Sequence, residues 1–172
     1  MPQVDGPTQT FYNTSFFNNF GWFRPISNGE NLIRLDWNQI GWDTLDNPDF
    51  VSRETKVQLE AYFQGQLKFF DLPVDPLGTT RNIKDWLNLL KKIPFGSLIT
   101  YKEFANFAGK PKGARVAGMC CSKNPIPIIL PCHRVIKSCG NFGNYGGGSS
   151  FSPTHPENKL RKIQLIKLEK YK

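Results

Sequence analysis

One segment, residues 124–135, constrains the fold of this 172-residue chain more than any other. It reads Asn-Pro-Ile-Pro-Ile-Ile-Leu-Pro-Cys-His-Arg-Val. Proline fixes its own φ angle and favours an extended backbone at the residue before it. The run therefore predicts a stiff, buried apolar strand that ends at Cys132. A buried cysteine is most often an inert small hydrophobic residue.

The two residues that follow Cys132 favour a reactive thiol instead. His133 can accept the thiol proton, directly or through a water molecule, and a cysteine must lose that proton to become a nucleophile. Arg134 would be costly in an apolar turn unless it had a partner. Cys132 is therefore predicted to be a nucleophile.

The composition predicts a globular protein of one domain or two small ones. Hydrophobic residues make up 39% of the chain and aromatic residues 13%, which suffices for an ordinary core. No apolar run approaches the ~20 residues that span a bilayer, and the N-terminus lacks the pattern of a signal peptide. An intracellular location is expected, nuclear in a eukaryote and cytoplasmic in a prokaryote.

The four cysteines all lie between Cys120 and Cys139, too close together for a framework of disulfides. This agrees with a reducing compartment. Cys120 and Cys121 would point about 100° apart on a helix, and no Cys-x-x-Cys unit exists, so no metal site is expected. Cys139 is interpreted as a bystander thiol.

Charge points to an anionic partner. The chain has 22 Lys and Arg against 14 Asp and Glu, for a net charge of +8. Nucleic acid is the first candidate for such a surplus. Most basic residues follow residue 80, whereas most acidic residues precede it. The C-terminal half is therefore predicted to be the binding half.

The N-terminal part predicts a small structural domain. Residues 9–37 mix aromatic and β-branched residues with Asn and Gly turns, which indicates strands and hairpins. Ser52 is predicted to cap a helix that runs to Gly65, followed by a strand over residues 67–72. The Pro- and Gly-containing connector 73–78 predicts a boundary between domains 1–78 and 79–172. No chemistry is expected before it.

The C-terminal part opens with an amphipathic helix. Ile83, Trp86, Leu87 and Leu90 recur at helical spacing and predict a core-facing stripe on a helix that runs to about Ile93.

Two short helices are predicted next. Thr100 and Glu103 have the spacing of a capping box, with a hydrophobic staple around them, and predict a helix that ends at Gly109. Pro111 is predicted to be the first residue of a second helix that runs toward Lys123. Together they form a helix-turn-helix.

The second of these helices has a shape and charge that would allow a close approach to nucleic acid. It is thin, and basic residues cluster at its N-terminal end, where the helix dipole favours phosphate. The candidate DNA contacts are Lys110, Lys112, Ala114, Ala117 and Gly118. The alternative is that the small residues pack tightly against the first domain and the charges are solvated, since helical hairpins are common in proteins that bind no nucleic acid.

Residues 149–158 are predicted to form a surface loop in which His155 is solvated. The final helix is predicted to bury an apolar face of Leu160, Ile163 and Ile166, with Leu165 as a further member.

The pattern Asn-Pro, five residues, then Pro-Cys-His-Arg-Val resembles the active-site segment of the O(6)-alkylguanine-DNA alkyltransferases. These proteins transfer an alkyl group from guanine to one of their own cysteines, and the resemblance extends over residues 86–169. It implies that Cys132 is the acceptor and that His133 is its base. It also implies that Glu169, in the final helix, holds His133.

The resemblance implies further roles on the helix-turn-helix. In the family this unit binds the DNA minor groove, an arginine matching Arg115 replaces the extruded base, and a tyrosine matching Tyr101 assists its rotation. Asn124 matches the residue that joins the recognition helix to the active-site strand.

The base pocket is expected to include Val135 and a glycine-rich loop. No Lys-Ser or Lys-Thr follows the glycines, which argues against a nucleoside triphosphate cradle. The favoured interpretation is a loop whose backbone approaches a flat base, with Tyr145 as one wall and the Gly146 amide as a donor to the guanine oxygen.

The implied fold is α/β, of the α+β kind. A small N-terminal domain with an antiparallel sheet and a helix precedes a mainly helical, winged-helix-like C-terminal domain. The implied partner is double-stranded DNA containing O6-alkylguanine, with no membrane and no cofactor. The protein is expected to be a monomer, and cooperative binding on DNA stays open.

The implied function is DNA repair by direct, irreversible alkyl transfer, one event per molecule, because a thioether product has no easy route to hydrolysis. Three alternatives remain. One is an alkyltransferase-like protein that recognises the lesion without repair, a class that lacks the cysteine. The second is a helix-turn-helix regulator in which Cys132 senses electrophiles. The third is a cysteine hydrolase of small esters or amides.

Overall fold

The computed structural model describes residues 8–146 and 151–172 and has the predicted α+β architecture. An antiparallel sheet comprises β1 (Tyr12–Asn13), β2 (Phe16–Asn18), β3 (Gly21–Ser27) and β4 (Leu32–Asn38). β3 is central, with β4 on one side and both β1 and β2 on the other. The predicted hairpins are confirmed.

Helix α1 (Phe50–Phe63) follows the sheet and packs against β3. Its N-cap is Asp49 and not Ser52, so the predicted start was three residues late. The Asp49 carboxylate accepts from the Ser52 amide at 2.8 Å, and the Ser52 hydroxyl accepts from the Asp49 amide at 3.1 Å. Ser52 therefore completes a capping box from inside the helix.

The predicted strand over residues 67–72 is wrong. Backbone groups of this segment form hydrogen bonds with a side chain of α1 and not with a neighbouring strand. Gln58 donates to the Asp71 carbonyl and accepts from the Asp71 amide, both at 3.0 Å. The chain then runs along the edge of β4, where Leu32 donates to the Pro73 carbonyl at 2.8 Å. The domain boundary at 73–78 remains a prediction.

The C-terminal half contains four helices and a two-stranded parallel pair among its described residues. The elements are α2 (Arg81–Leu90), β5 (Ile99–Thr100), α3 (Tyr101–Phe107), α4 (Ala114–Ser122), β6 (Val135–Ile136) and α5 (Pro156–Tyr171). The α2 stripe is buried as predicted, but the helix ends at Leu90.

The capping box at the start of α3 is confirmed, with Thr100 as N-cap and Glu103 closing it. The predicted start of α4 at Pro111 is wrong. A turn in which Gly113 donates to the Lys110 carbonyl at 2.8 Å precedes the helix, and Gly113 is its N-cap.

The segment after α4 is not the predicted buried strand. Ile129 donates to the Pro127 carbonyl across Ile128, whose φ is +73°, and Cys132 donates to the Leu130 carbonyl. Both are tight γ-turns, and the first is strained for a β-branched residue, at a cost of about 1–3 kcal/mol. The prolines stiffen a pair of turns rather than a strand.

Helix α5 buries a face of which the sequence predicted only Leu165. Leu160 is 53% exposed, whereas the buried positions are Asn158, Arg161, Lys162, Leu165 and Glu169. These five lie on one stripe of the helix, and four of them are polar or charged. Periodicity of apolar residues could not reveal such a face.

His155 is the N-cap of α5 and not a solvated side chain. Its Nδ1 accepts from the Glu157 amide at 3.2 Å, and its ring stacks on Phe151 at 4.1 Å. Residues 149 and 150 of the predicted surface loop, residues 147 and 148 of the glycine-rich loop, and residues 1–7 of the predicted N-terminal domain lie outside the described residues. Within the described part of the chain, no helix is long and apolar enough to cross a membrane.

Candidate active site

Cys132 lies in a single 3-10 turn, Cys132–Arg134, directly after the γ-turn at Pro131. The thiol is buried, and its residue is 4% exposed. Asn124 lies opposite: its amide nitrogen is 3.2 Å from Sγ and 2.8 Å from the Leu130 carbonyl. Its side-chain oxygen accepts from the Ile126 amide at 2.9 Å. One asparagine therefore shapes the loop and donates to the thiol.

The imidazole of His133 is fully buried beside a carboxylate. Its Nε2 lies 2.6 Å from Glu169 Oε1. Since an ionised carboxylate only accepts hydrogen bonds, Nε2 carries the proton in the neutral ring, and Nδ1 keeps its lone pair. Nδ1 forms no hydrogen bond with the residues described. It is the nitrogen that can accept a proton.

Glu169 accepts from four residues. Besides His133, the donors are Arg134 Nε at 2.9 Å and Nη2 at 3.0 Å, the Tyr62 hydroxyl at 2.8 Å and the Gly96 amide at 3.1 Å. Arg134 also donates to the Ile93 carbonyl at 2.6 Å, so the partner that its burial required is present.

The charge state of this cluster follows from its contacts. Burial by itself raises the pKa of Glu169, but the hydrogen bonds and charges of His133 and Arg134 outweigh it and hold that pKa well below its usual range. Burial lowers the pKa of His133, against the opposing pull of Glu169. Neutral imidazole beside an ionised carboxylate is the resting state.

The thiol is also neutral at rest. Burial raises the pKa of Cys132, while the hydrogen bond from Asn124 and the charge of Lys162 oppose that rise. Lys162 extends from α5, donates to the Val135 carbonyl at 2.7 Å and lies 5.8 Å from the centre of the Tyr101 ring. The sequence did not single out Lys162 as a functional residue. It lies on the buried stripe of α5, but a buried lysine does not contribute to the pattern of apolar residues from which burial is predicted.

A cavity of about 510 Å³ opens onto Cys132. Its walls include Tyr101, Gly118, Cys121, Tyr145 and Gly146, so the structure brings the predicted pocket residues together. Burial raises the pKa of Tyr145 and of Tyr101, so both phenols stay protonated. The volume lies within the range of small-molecule sites.

Val135 is fully buried and is not among the residues that line this cavity, and its carbonyl accepts from Lys162. Asn124 is buried as well, so its contacts are to the loop and to the thiol. Neither of these two predicted binding residues lines the cavity.

Helices α3 and α4 form the helix-turn-helix, with α4 also packed on α2. Arg115 lies exposed on α4 and forms no hydrogen bond or ion pair with any described residue. Lys112 is exposed, and so is Lys110, whose amine lies 5.4 Å from the centre of the Trp86 ring.

The small residues of α4 have different environments. Ala114 is half-buried, and a Cβ built on Gly118 would lie 3.9 Å from the Tyr101 ring. Ala117 is fully buried and cannot contact DNA in this conformation, which corrects that part of the prediction. The main contacts of α4 with other elements are with α3 and α2.

All four cysteines are free, and Cys139 is exposed. Among the described residues, no group of three or more His, Cys, Asp or Glu side chains could hold a metal ion.

Two family models match the chain. The DNA binding domain of 6-O-methylguanine DNA methyltransferase matches residues 83–170. The ribonuclease-like domain of 6-O-methylguanine DNA methyltransferase matches residues 19–76.

Curated relatives carry the name methylated-DNA--protein-cysteine methyltransferase. That of Methanosarcina barkeri is 44% identical over 126 residues, 72% of this chain and 78% of the relative. That of Mycobacterium leprae is 40% identical over 133 residues, 77% and 72%. The match to that of Methanosarcina acetivorans, at 46% identity, spans 60% of this chain and 65% of the relative.

Solved structures are similar over nearly the whole chain. The Mycobacterium tuberculosis O6-methylguanine methyltransferase has a TM-score of 0.76 at 32% identity, covering 94% of this chain and 93% of that one. Mycobacterium tuberculosis OGT in complex with DNA has a TM-score of 0.74 at 33% identity, covering 91% of both chains.

Proposed function

The chain belongs to the 6-O-methylguanine DNA methyltransferase family, as its sequence predicted, and from that premise we propose that it removes alkyl groups from O6-alkylguanine in double-stranded DNA by transferring them irreversibly to Cys132. The observation that carries the proposal is a buried thiol at the floor of a base-sized cavity, next to a histidine held by a carboxylate.

The proposed reaction is a direct displacement. His133 Nδ1 takes the thiol proton through a water molecule, and Glu169 stabilises the imidazolium that forms. The sulfur of Cys132 forms a bond to the alkyl carbon as the bond from that carbon to O6 breaks. The electron pair of the broken bond moves to the guanine, which gains one proton, and this balances the proton that the thiol lost to His133.

A resting thiol with a raised pKa suits this chemistry. A protonated thiol is a poor nucleophile, so Cys132 at rest does not react with small electrophiles that enter the cavity. It becomes reactive when the alkylated guanine lies in the cavity and His133 removes the thiol proton. The Asn124 hydrogen bond and the Lys162 charge stabilise the thiolate when it forms.

The base must leave the duplex to reach the cavity. Extrusion costs a few kcal/mol, and the proposal is that Arg115 offsets part of it by occupying the vacated space. An arginine suits the role since its planar guanidinium can stack on neighbouring bases while its charge stays near phosphate. Lys110 and Lys112 are exposed in the turn that precedes α4, where they can contact phosphates.

Transfer occurs once per molecule, because the thioether on Cys132 has no easy route to hydrolysis. The proposed reaction needs no cofactor. We place the protein inside the cell, where DNA is found, and expect it to act on DNA as a monomer. A lesion sensor without alkyl transfer is not favoured, since the nucleophilic cysteine is present and the relatives are named methyltransferases.

The test is incubation with a duplex oligonucleotide that carries labelled O6-methylguanine. Label is expected to move to the protein in a one-to-one ratio, and mass spectrometry should find the peptide containing Cys132 methylated. Binding of the lesion with an unmodified Cys132 peptide would indicate a sensor or regulator and refute the proposal. Repeated turnover of a small ester, with no label transfer, would indicate a hydrolase.

A further inference from the structure

A tyrosine from the N-terminal half contacts the carboxylate of the candidate active site. Tyr62 lies near the end of α1, is fully buried, and donates its hydroxyl to Glu169 Oε1 at 2.8 Å. The two residues are 107 positions apart. The sequence predicted no chemistry before residue 78, and it did not single out Tyr62.

We propose that Tyr62 is a positioning residue for alkyl transfer, whose hydroxyl holds the Glu169 carboxylate in the orientation that His133 requires. The inference rests on the proposed function and gives the N-terminal half a part in it.

The hydrogen bonds around Glu169 divide between its two oxygens. Oε2 accepts from Arg134 Nε and from the Gly96 amide, whereas Oε1 accepts from His133, Arg134 Nη2 and Tyr62. The Arg134 guanidinium bridges both oxygens and fixes the plane of the carboxylate. Tyr62 adds a neutral donor on the same oxygen that holds the histidine.

A donor at Oε1 changes how basic that oxygen is toward His133. A carboxylate that accepts more hydrogen bonds is a weaker base, so with Tyr62 in place the proton of the imidazolium stays on His133 and does not pass to Glu169. Without the hydroxyl, Oε1 becomes a stronger acceptor for the Nε2 proton. The imidazole then holds its second proton more tightly, and its pKa rises.

The ring of Tyr62 is held independently of its hydroxyl. It packs against the rings of Phe63, Phe70 and Phe95, with centroids 5.4, 5.3 and 6.0 Å away. Phenylalanine can therefore occupy the same position and remove only the oxygen. Burial, with the nearby Glu169 charge, raises the pKa of Tyr62 well above its usual value, so the hydroxyl remains a donor.

The N-terminal half, which includes α1, contacts the elements of the candidate active site at two further points. Arg161 of α5 donates to the Trp37 carbonyl at 2.9 Å, and Leu35 of β4 donates to the Pro125 carbonyl at 2.9 Å. The sheet that carries α1 is thus bonded both to the helix of Glu169 and to the loop of Cys132. These contacts hold α1 in place relative to α5, and they thereby set the distance between the Tyr62 hydroxyl and the Glu169 carboxylate.

Several charged and titratable groups among the described residues act on the Glu169–His133 pair. They are Arg134 beside it, Lys162 on α5, Tyr62 on α1 and Tyr145 from the glycine-rich loop. Arginine keeps its charge at all working pH values, and burial keeps both tyrosines neutral. Burial lowers the pKa of His133 and Glu169 opposes that shift, so a change at the carboxylate alters the pKa of His133, which imidazole NMR can follow.

The experiment compares Tyr62→Phe with Thr55→Val. Thr55 is buried on the same helix, and its hydroxyl donates to the Val51 carbonyl within α1, so the control removes a buried hydroxyl without touching Glu169. The chain has two histidines, which lets imidazole NMR follow His133 with His155 as an internal reference. The second measurement is the rate of methyl transfer from duplex DNA as a function of pH.

Tyr62→Phe is expected to raise the pKa of His133 by at least about half a unit and to move the acid limb of the rate profile upward by the same amount. Transfer near neutral pH is expected to slow by roughly 3- to 30-fold, since orientation of the base is lost as well. Thr55→Val should change neither readout. Midpoints of thermal unfolding for both variants show whether each is folded under the conditions of measurement.

Equal His133 titrations and equal pH profiles in the two variants would overturn the inference. Failure of the proposed function gives a different result: the unmodified protein would transfer no methyl group, while the titration of His133 would still report whether Tyr62 acts on the pair.

Discussion

Asn124 Nδ2 lies 3.2 Å from Cys132 Sγ and 2.8 Å from the Leu130 carbonyl, so one side-chain amide holds both the thiol and the turn that delivers it. The asparagine follows the C-cap of α4, and the cysteine is eight residues further on. The side chain of Asn124 therefore joins the segment that follows α4 to the thiol.

Asn124→Ala is expected to make the thiol less reactive. Burial raises the pKa of Cys132 and the Asn124 hydrogen bond opposes that rise, so its loss moves the pKa higher. The pH at half-maximal alkylation by iodoacetamide should increase, and the free energy of unfolding should fall by about 1–3 kcal/mol because the Leu130 carbonyl loses its donor. Asn88→Ala, an exposed position of α2, is the control and should match the unmodified protein. An unchanged alkylation profile in Asn124→Ala would contradict this role.

Cys132→Ala is expected to abolish methyl transfer and to leave binding of lesion-containing duplex within about threefold of the unmodified protein, because the thiol adds little contact area. Transfer is measured with labelled DNA and binding by titration with a fluorescent duplex. Cys139→Ala, which alters an exposed cysteine, should retain both activities. Loss of binding in Cys132→Ala would mean that this cysteine is structural.

The features that the sequence predicted well have determinants close together in the chain. The capping box of Thr100 and Glu103, the buried stripe of α2 and the hairpins of the sheet each depend on residues a few positions apart. The interactions that form such elements lie within a short stretch of sequence, so a local pattern is enough to predict them. The Cys-His pair was also found locally, since its members are adjacent.

The features that the sequence missed depend on distant partners. The buried polar stripe of α5 exists because Arg161 donates to the Trp37 carbonyl, 124 residues away, and Lys162 to that of Val135. A charged residue is buried only when paired, and no window of the sequence contains both partners. Tyr62 was missed for the same reason. The segment before Cys132 was mistaken for a strand because its γ-turns leave the apolar composition of a strand unchanged.

Arg115→Ala is expected to slow repair of O6-methylguanine in duplex DNA by at least about tenfold, while reaction with the free modified base stays within about twofold. The guanidinium is exposed on α4, so its removal should leave the cavity and the thiol intact. Single-turnover rates on both substrates give the comparison. Arg53→Ala removes an exposed positive charge from α1 and controls for net charge. Equal losses on duplex and free base would refute an extrusion role for Arg115.

Glu169→Gln is expected to lower stability at neutral pH by about 3–5 kcal/mol, because it leaves Arg134 buried without its charge partner. The pH dependence follows from the sign of the shift. The pKa of Glu169 in the folded state lies well below the unfolded value near 4.5, so its contribution is fully present above that value and is lost as pH falls toward the folded pKa. Acid unfolding of Glu169→Gln should therefore be less steep below pH 4.5 than that of the unmodified protein. Urea unfolding at a series of pH values measures both effects, with Glu30→Gln at an exposed site as control. Parallel acid limbs in Glu169→Gln and the unmodified protein would show that the carboxylate is not held ionised by His133 and Arg134.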